Sequence, residues 1–461
     1  MKEKHPGTIL VKNVMHLVSC DDADREYQNV DVFARDGVIV SISPAGEETF
    51  PDADEVIDGC HMVMYPGLVN THHHLYQIFS RNLPQVQNME LFDWLKTLYE
   101  IWKNLDDEVV HYSSLTGIGE LLKYGCTTIL DHHYVFPSGS GGSQDLLGAQ
   151  FAAADLLGAR FYATRGSMDL SVKDGGLPPD SVVQSVDEIM RDSADLVNRY
   201  HDRSPFAMHR VALAPCSPFS VSDTLLKETA VLARDLHVRL HTHLCETKDE
   251  ENYMLDRYGI RPLEYMRRLG WTGDDVWYAH GIHFNDEELQ FLADTGTGVA
   301  HCPASNMKLS SGVARLPEML KLGVKVGLAV DGAASNDGSG LLEEIRTGYL
   351  LHRLHESREA PTGYDFLKLA TRGSASLLGW PEIGRLEPGS AADFFMVDSR
   401  RLEMVGVQKD FKSAPATVGY RQPADYTVAA GRVVVREGRL AGADEREIAE
   451  RANRVFEKYL A

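Results

Sequence analysis

The stretch PGLVNTHHH at residues 66–74 places a short apolar run directly before a burst of polar side chains. In an extended chain, residues i and i+2 point to the same side, so His72 and His74 can present two imidazoles to one ion while His73 faces elsewhere. A strand that ends in such side chains is typical of a parallel α/β barrel, whose functional residues lie at the C-terminal ends of its strands. By itself, the triplet is also compatible with a polar corner that satisfies its own hydrogen bonds.

The same layout recurs along the chain, because short apolar runs that end in polar residues alternate with amphipathic helical patterns such as residues 91–99 and 224–232. The runs cover residues 62–68, 127–130, 160–163, 210–214, 238–240, 276–279, 298–300 and 326–330. Eight strands that alternate with helices predict an α/β fold of the (β/α)8 TIM-barrel type. The polar residues that follow the runs are then expected to meet at one rim of the barrel.

The two flanks of the chain show a different periodicity. Residues 8–62 and 426–435 alternate between apolar and polar with a period of two, which predicts strands, and residues 444–460 predict a terminal helix. We expect one small β-sandwich built from both chain ends, contributed by residues 1–65 and 386–461, beside a barrel formed by residues 66–385.

Composition and charge exclude several classes of protein. Hydrophobic residues make up 43% and charged residues 25% of the 461 residues, which excludes a long disordered chain or a fibrous repeat. The chain has 46 basic and 67 acidic residues, a formal net charge of −21, and this charge argues against nucleic acid or an anionic membrane surface as a partner. No apolar stretch has the length of a membrane span, and the first residues lack the layout of a signal peptide, so we expect a cytoplasmic protein.

The cysteines favour a reducing compartment and leave other residue types as metal ligands. Six cysteines are scattered through the chain without a CxxC pair, which indicates free thiols rather than a disulfide framework or a thiolate zinc site. A metal would therefore be held by histidines and carboxylates. Such residues follow three further predicted strands, as His243 after the fifth, His280 after the sixth and Asp331 after the eighth. Imidazoles and one carboxylate that converge at one rim suit a divalent transition metal with an open position for water, and packing alone explains such a set poorly.

These residues stand within motifs whose order resembles that of the amidohydrolase superfamily, specifically its branch of cyclic deaminases and triazine hydrolases. The resemblance covers nearly the whole chain. Its motifs are PGL at 66–68, HHH at 72–74, HLCE at 243–246, His280, HCPASN at 301–306, Asp331 followed by SND at 335–337, and GRLEPGSAADF at 384–394.

The resemblance implies a mononuclear metal centre held by His72, His74, His243 and Asp331. Members with two metals bridge them with a modified lysine or a carboxylate after an earlier strand, and residues 214–218, after the fourth strand, contain no lysine. We expect one divalent ion, zinc as the first choice and iron as the alternative, since a ligand set of three histidines and one aspartate suits both.

The resemblance also implies that Glu246 and His280 face the substrate. A bound divalent ion lowers the pKa of its water toward ~7, and Asp331 both ligates the ion and helps to remove the proton. Glu246 is expected to carry that proton to a ring nitrogen and then to departing ammonia, while His280 stabilises charge on the attacking oxygen. A structural alternative for Glu246 is an orienting contact to His243.

The local sequences around the predicted strand ends look most like those of 8-oxoguanine deaminases. The expected reaction is the metal-dependent hydrolytic deamination of an amino-substituted oxopurine, 8-oxoguanine to urate and ammonia. Gln77, Arg165 and Cys216 are the candidate substrate-binding residues. Ordinary alternatives are a glutamine that caps a loop, an arginine in a structural ion pair and a cysteine that acts as a small core residue.

Other functions stay open. Isoxanthopterin or guanine deamination uses the same parts, and a triazine-type hydrolase displaces chloride or an alkylamine with the same nucleophile. A non-catalytic barrel scaffold or binding module is disfavoured by the intact set of ligand-type residues. His132 and His133 are expected to support the site through hydrogen bonds, and of the aromatic residues in 92–102, mostly core or subunit interface, Trp94 is the one expected to reach the pocket. Relatives of this type are often homo-oligomers.

Overall fold

A computed structural model describes residues 7–137 and 145–461 of the protein. Its strands are β1 (Thr8–Val18), β2 (Glu26–Arg35), β3 (Val38–Pro44), β4 (Glu55–Asp58), β5 (Met62–Pro66), β6 (Leu68–Asn70), β7 (Cys126–His133), β8 (Arg160–Ser167), β9 (His209–Pro215), β10 (Leu240–Leu244), β11 (Val276–His280), β12 (Gly298–His301), β13 (Val326–Leu328), β14 (Phe394–Asp398), β15 (Tyr426–Ala429), β16 (Arg432–Arg436) and β17 (Arg439–Leu440). The α-helices are α1 (Leu91–Trp102), α2 (Asp107–Lys123), α3 (Leu146–Leu157), α4 (Val186–Tyr200), α5 (Asp223–Asp235), α6 (Lys248–Tyr258), α7 (Pro262–Arg268), α8 (Asp286–Thr295), α9 (Pro303–Lys308), α10 (Leu316–Leu322), α11 (Ala333–Asn336), α12 (Leu341–Glu356), α13 (Gly363–Lys368), α14 (Ser374–Leu377), α15 (Ala414–Thr417) and α16 (Glu445–Leu460).

Strands β6 to β13 form one eight-stranded sheet in which each strand pairs with its neighbour in chain order and every pairing is parallel. Helices follow the strands, as expected where parallel strands need crossover connections. The longer strands β7 and β8 are buried along their whole length, because barrel strands are covered on both faces. The predicted (β/α)8 barrel is confirmed.

The sheet closes on itself at a seam between its first strand, β6, and its last strand, β13. Hydrogen bonds that cross this seam run from the Thr71 main-chain N–H to the Leu328 carbonyl (3.4 Å) and from the Val330 N–H to the Asn70 side-chain oxygen (3.0 Å). A side chain thus replaces part of the regular ladder at this point.

Several predicted strands differ from the observed ones. β7 and β8 extend beyond the predicted 127–130 and 160–163, to His133 and Ser167, and two other strands differ more. The run at 62–68 is two strands, because β5 pairs antiparallel with β14 in the second sheet and β6 belongs to the barrel. Gly67 is the break between them, and Thr127 packs so close to it that no side chain would fit there. The fifth barrel strand runs over Leu240–Leu244 rather than 238–240, so His241 and His243 lie within the strand.

The second sheet unites strands from both chain ends in the order β17-β16-β15-β14-β5-β1-β2-β3, with β4 paired to β1. Apolar residues of the first and last strands pack into one core; it includes Ile9, Val32, Met64, Phe394 and Val428. The predicted segment 426–435 is a hairpin, β15 and β16, that turns at Ala430 and Gly431, both of which have positive φ.

A buried ion pair ties this sheet to the barrel. Arg160 at the start of β8 and Asp393 just before β14 are both fully buried, and the guanidinium binds the carboxylate through Nε–Oδ2 (2.6 Å) and Nη2–Oδ1 (3.2 Å). Asp393 Oδ1 also accepts the Ala430 N–H. The terminal helix α16 packs on α2 of the barrel.

The helices within residues 7–137 and 145–461 include none that combines the length and the apolar character needed to cross a membrane.

Candidate metal centre and active site

Four buried donor groups converge at the C-terminal rim of the barrel. His72 and His74 follow β6, His243 lies in β10 and Asp331 follows β13. Asp331 Oδ1 lies 3.3 Å from Nε2 of His72 and 3.3 Å from Nε2 of His74, and the Nε2 atoms of His74 and His243 are 3.2 Å apart. The rim thus brings together the four residues predicted as metal ligands.

Main-chain carbonyls fix the orientation of two of these imidazoles. The carbonyl of His132 accepts the Nδ1–H of His74 at 2.6 Å, and the carbonyl of Cys216 accepts the Nδ1–H of His243 at 2.6 Å. Because each proton sits on Nδ1, the Nε2 lone pairs point into the cluster.

His72 is oriented by a relay of two bonds. The Nδ1–H of His241 donates to the carbonyl of Trp277 at 3.0 Å, so the Nε2 of His241 is an acceptor. That atom lies 2.8 Å from Nδ1 of His72, which therefore carries the donated proton. The Nε2 lone pair of His72 is thereby left to face Asp331.

The donor set fits a divalent metal ion. The lone pairs of His74 and His243 face each other at 3.2 Å without a proton between them, and a cation is the species that makes this arrangement favourable. The Nε2 of His72 is buried and has no hydrogen-bond partner among the described residues. Burial holds the pKa of His72 and of His243 well below the usual value, so both rings are neutral, as metal ligands must be.

Asp331 is held as a carboxylate by a dense set of donors. It has positive φ (62°), and its Oδ1 accepts the Gly332 N–H at 2.6 Å while its Oδ2 accepts the hydroxyls of Ser305 (2.5 Å) and Ser335 (3.1 Å). These three hydrogen bonds favour the ionised form of Asp331, which is the form that a metal ligand must have.

Glu246 and His280 stand together beside the cluster. The Nε2 of His280 lies 3.5 Å from Oε2 of Glu246 and 3.9 Å from Oδ2 of Asp331, and its Nδ1–H donates to Oδ1 of Asn306 at 2.9 Å. Burial raises the pKa of Glu246, which favours a carboxyl group that can both take and give a proton. Burial opposes the charging of His280, but the two carboxylates beside it raise its pKa above the usual value.

The position of Glu246 depends on another buried glutamate. Glu250, on α6, accepts the main-chain N–H of Cys245 on Oε1 and that of Glu246 on Oε2, each at 2.9 Å. Cys245 has positive φ (55°), so these bonds stabilise an unfavourable turn directly after β10.

A cavity opens onto these groups. One wall is apolar and comes largely from the buried face of α1. Its apolar lining consists of Leu91, Trp94, Leu95, Phe219 and Leu309, and its polar lining of His74, Gln77, Tyr134, Cys216, His243, Glu246, His280, Asp331 and Ser335. Trp94 Nε1 and Gln77 Oε1 are buried and lack a hydrogen-bond partner within the described part of the chain. A donor and an acceptor in the lining are thus available to a ligand.

The predicted substrate-binding residues separate into two groups. Gln77 and Cys216 line the cavity, and burial raises the pKa of the Cys216 thiol to about 12, so the thiol is neutral. Arg165 does not belong to the lining. Its Nη2 donates to Gln184 Oε1 at 2.7 Å, and its guanidinium lies 3.8 Å from the ring centre of Phe136 and 3.6 Å from the Asp192 carboxylate. These contacts match the alternative interpretation of Arg165, in which it belongs to a structural ion pair.

His132 and His133 have different surroundings. The ring of His132 stacks on His243 with centroids 4.9 Å apart, and its Nε2 lies 2.8 Å from the Ala214 carbonyl. One ring nitrogen of His132 belongs to a group, with nitrogens of His72, His74 and His243, in which all atoms lie close enough together to hold one ion. His133 bonds to the carbonyl of Val135.

Several functional contacts were not predicted as such. Ser305, Asn306 and Ser335 lie within quoted motifs, but their bonds to Asp331 and His280 depend on the packing of α9 and α11. The role of His241 had a signal in the sequence. His241 precedes His243 by two residues, which is the same spacing as that between His72 and His74. The carbonyls of His132 and Cys216 carry no signal in the sequence.

Comparison with known proteins shows to which family the chain belongs. A model of the amidohydrolase family matches residues 63–434. The chain belongs to the amidohydrolase family. It is 41% identical to hydroxydechloroatrazine ethylaminohydrolase of Pseudomonas sp. (strain ADP) over 465 residues, which cover 98% of this chain and 96% of that protein. It is 43% identical to 8-oxoguanine deaminase of Pseudomonas aeruginosa over 409 residues, which cover 89% and 90% of the two chains.

A solved structure agrees. The crystal structure of an atrazine chlorohydrolase from Arthrobacter aurescens TC1 complexed with zinc superposes with a TM-score of 0.93 at 32% identity and covers 97% of this chain and 100% of that one. The resemblance seen in the sequence is thereby confirmed. This amidohydrolase is an enzyme that hydrolyses C–N bonds, and its cluster of histidines and aspartate fits the divalent metal of the family.

Proposed function

We propose that this amidohydrolase is a metal-dependent deaminase of an amino-substituted oxopurine, with 8-oxoguanine as the first substrate. The observation that carries the proposal is the pair Glu246 and His280 at the edge of a buried cavity, directly beside the His72, His74, His243 and Asp331 cluster. The relation to 8-oxoguanine deaminase supports the choice of ring.

In this proposal His72, His74, His243 and Asp331 hold one divalent ion. When bound, the ion lowers the pKa of a water molecule toward ~7 and so supplies a nucleophile at neutral pH. Zinc is the first choice because the related atrazine chlorohydrolase is complexed with zinc, and iron is the alternative.

Glu246 moves the protons of the reaction. Its carboxylate takes a proton from the attacking water and gives it to the ring nitrogen beside the carbon that bears the amino group. A second proton then reaches the amino nitrogen by the same carboxyl group, the C–N bond breaks, and ammonia leaves as the new C–O bond becomes the carbonyl of the product. The pKa of Glu246, raised by burial, suits both the uptake and the delivery of a proton.

His280 and Asp331 prepare the attack. The Nδ1–H of His280 donates to Asn306. Its Nε2 lies between the two carboxylates, where it can donate to the negative charge that develops on the attacking oxygen. Asp331 stays an acceptor because Ser305 and Ser335 donate to its Oδ2.

The ring is held by the two unpaired groups in the cavity. Gln77 Oε1 accepts a ring N–H, and Trp94 Nε1–H donates to a carbonyl oxygen or a ring nitrogen. An oxopurine offers both kinds of group at its edges. The apolar lining, including Phe219 and Leu309, covers the faces of the ring, and Cys216 contributes a neutral thiol.

A second candidate is the release of an alkylamine from a hydroxylated triazine. It is favoured by the apolar wall of Leu91, Trp94 and Leu95, which suits an N-alkyl substituent, and by the 41% identity to hydroxydechloroatrazine ethylaminohydrolase over 98% of the chain. The site would perform the same chemistry with a different leaving group.

The test is a product assay on zinc-reconstituted protein with 8-oxoguanine, guanine, isoxanthopterin, a hydroxylated N-ethylaminotriazine and a chlorotriazine. Ammonia and urate from 8-oxoguanine, with a higher kcat/KM than for the other rings, support the first proposal. Release of ethylamine from the triazine without purine turnover supports the second candidate. Absence of product from all five substrates refutes both proposed functions.

Two variants assign the proton transfer. Glu246→Gln should lower kcat by about 10²–10⁴-fold, since the amide cannot carry a proton. Glu228→Gln makes the same change on the exposed face of α5 and should keep full activity. Equal activity of the two variants would refute the assignment of Glu246.

A further inference from the structure

The proposed ligands stand on both sides of the barrel seam. His72 and His74 follow β6, and Asp331 follows β13. The seam lacks a regular ladder, and one of its few main-chain bonds is the Asp331 N–H to the carbonyl of His72, at 3.1 Å. Further contacts are needed to fix the two loops relative to each other.

His73, the middle residue of the triplet, makes such a contact. It is completely buried, and the His74 main-chain N–H donates to its Nδ1 at 2.7 Å. Because Nδ1 accepts, the proton of a neutral ring is on Nε2, which lies 3.1 Å from Oγ of Ser339. Ser339 lies in the short segment between α11 and α12, on the same side of the seam as Asp331, so the imidazole spans the seam.

The far end of this contact is anchored in the helical layer. The main-chain N–H of Ser339 donates to Oε1 of Glu120 on α2 at 3.2 Å, and Oε2 of Glu120 binds Arg81 at 3.0 Å. His73 thus contacts the loop after β6 through the His74 N–H and the segment after α11 through Ser339, and Ser339 in turn binds Glu120 on α2. We refer to His73, Ser339 and Glu120 as the seam link.

We propose that His73 is a positioning residue, and that the seam link sets the spacing between His72 and His74 on one side and Asp331 on the other. This inference rests on the proposed ligand set. Loss of the link should weaken metal binding, because contacts that orient ligands typically contribute about 10–100-fold in metal affinity.

Two substitutions cut the link from opposite sides. His73→Asn keeps a side-chain oxygen near the position of Nδ1, which accepts the His74 N–H, but it is too short to reach Ser339. Ser339→Ala removes the hydroxyl and leaves the main-chain bond to Glu120. Ser193→Ala is the matched control, since Ser193 is also buried and its hydroxyl bonds to the Ile189 carbonyl within α4.

The experiment measures the zinc dissociation constant of the full-length metal-free protein by competition with a chromophoric chelator, together with the thermal midpoint without metal. Each single variant should raise the constant by about tenfold or more, the double variant should raise it no further, and Ser193→Ala should not change it. The midpoints without metal should fall no more than that of the control. The midpoints separate loss of positioning from general unfolding.

Unchanged zinc affinity in Ser339→Ala, or effects of the two single variants that add in the double variant, would overturn the seam link. Absence of zinc binding by the unmodified protein would instead refute the proposed metal centre. The two failures are therefore distinguishable.

Discussion

Substitution of His241 by phenylalanine should weaken metal binding without removing a ligand. The ring of His241 stacks on Trp277 with centroids 4.6 Å apart and planes at 17°, and phenylalanine can keep this packing. It cannot accept the Nδ1–H of His72, now accepted at 2.8 Å. His72 then lacks the contact that fixes its proton on Nδ1 and its lone pair on Nε2.

The magnitude follows from two independent arguments. A buried donor left without its acceptor costs about 1–3 kcal/mol. Since about 1.4 kcal/mol corresponds to tenfold in an equilibrium constant, this is roughly a 5–150-fold effect. Loss of a group that orients a metal ligand typically lowers affinity by about 10–100-fold. We therefore expect the zinc dissociation constant of His241→Phe to rise by about 10–100-fold.

The assay is the titration of metal-free protein with zinc in competition with a chelator. His133→Phe is the control, because His133 is also fully buried in the barrel and bonds to a main-chain carbonyl, that of Val135. Its zinc affinity should not change. Equal affinities of His241→Phe and the unmodified protein, or equal losses in both variants, would refute the relay from Trp277 through His241 to His72.

Three further predictions concern recognition, pH and stability. Trp94→Phe removes the unpaired Nε1–H from the cavity and should raise KM for the oxopurine while kcat changes little; an unchanged KM would contradict the donor role. Burial raises the pKa of Glu344 to about 8, so its carboxyl is neutral in the folded protein between about pH 4.5 and 8 but ionised in the unfolded chain, and its contribution to stability falls as the pH rises through this window. The thermal midpoint of Glu344→Gln, measured relative to that of the unmodified protein, should therefore rise as the pH increases from 5 to 8. The same pH dependence of the midpoint in both proteins would refute this. Asp393→Ala leaves the buried Arg160 uncompensated and should cost about 3–5 kcal/mol in the free energy of unfolding, measured by urea denaturation, whereas a double variant with Arg160→Met and Asp393→Leu should recover part of the loss.

The features predictable from the sequence are those with a short-range periodic signal. The period of two places His72 and His74 on one side of the chain, and the alternation of strands with helices places His243 and Asp331 at the same rim. The break at Gly67 escaped prediction because the apolar run continues through it, and only the packing of Thr127 shows why a glycine is required there.

The position of Arg165 depends on partners distant in the chain. It lies near the C-terminal end of the barrel strand β8, as a substrate-binding residue would, but Gln184 and Asp192 from the loop and helix that follow hold the guanidinium away from the cavity. No local pattern encodes this choice. In the same way, the sequence of α1 predicts an ordinary amphipathic helix, and only the structure shows that its apolar face lines the cavity.

In the proposed function, Glu246 and the cluster of His72, His74, His243 and Asp331 carry out a metal-dependent hydrolysis of the bond between a ring carbon and its amino nitrogen. The most direct test is turnover of 8-oxoguanine in ¹⁸O-labelled water, with the product analysed by mass spectrometry for metal-free, zinc-reconstituted and Glu246→Gln protein. For the zinc-reconstituted protein we expect one labelled oxygen in the product and one released ammonia per turnover, with little product from the other two proteins. Product formed equally well by the metal-free protein, or product without the label, would refute a metal-dependent hydrolysis at this site.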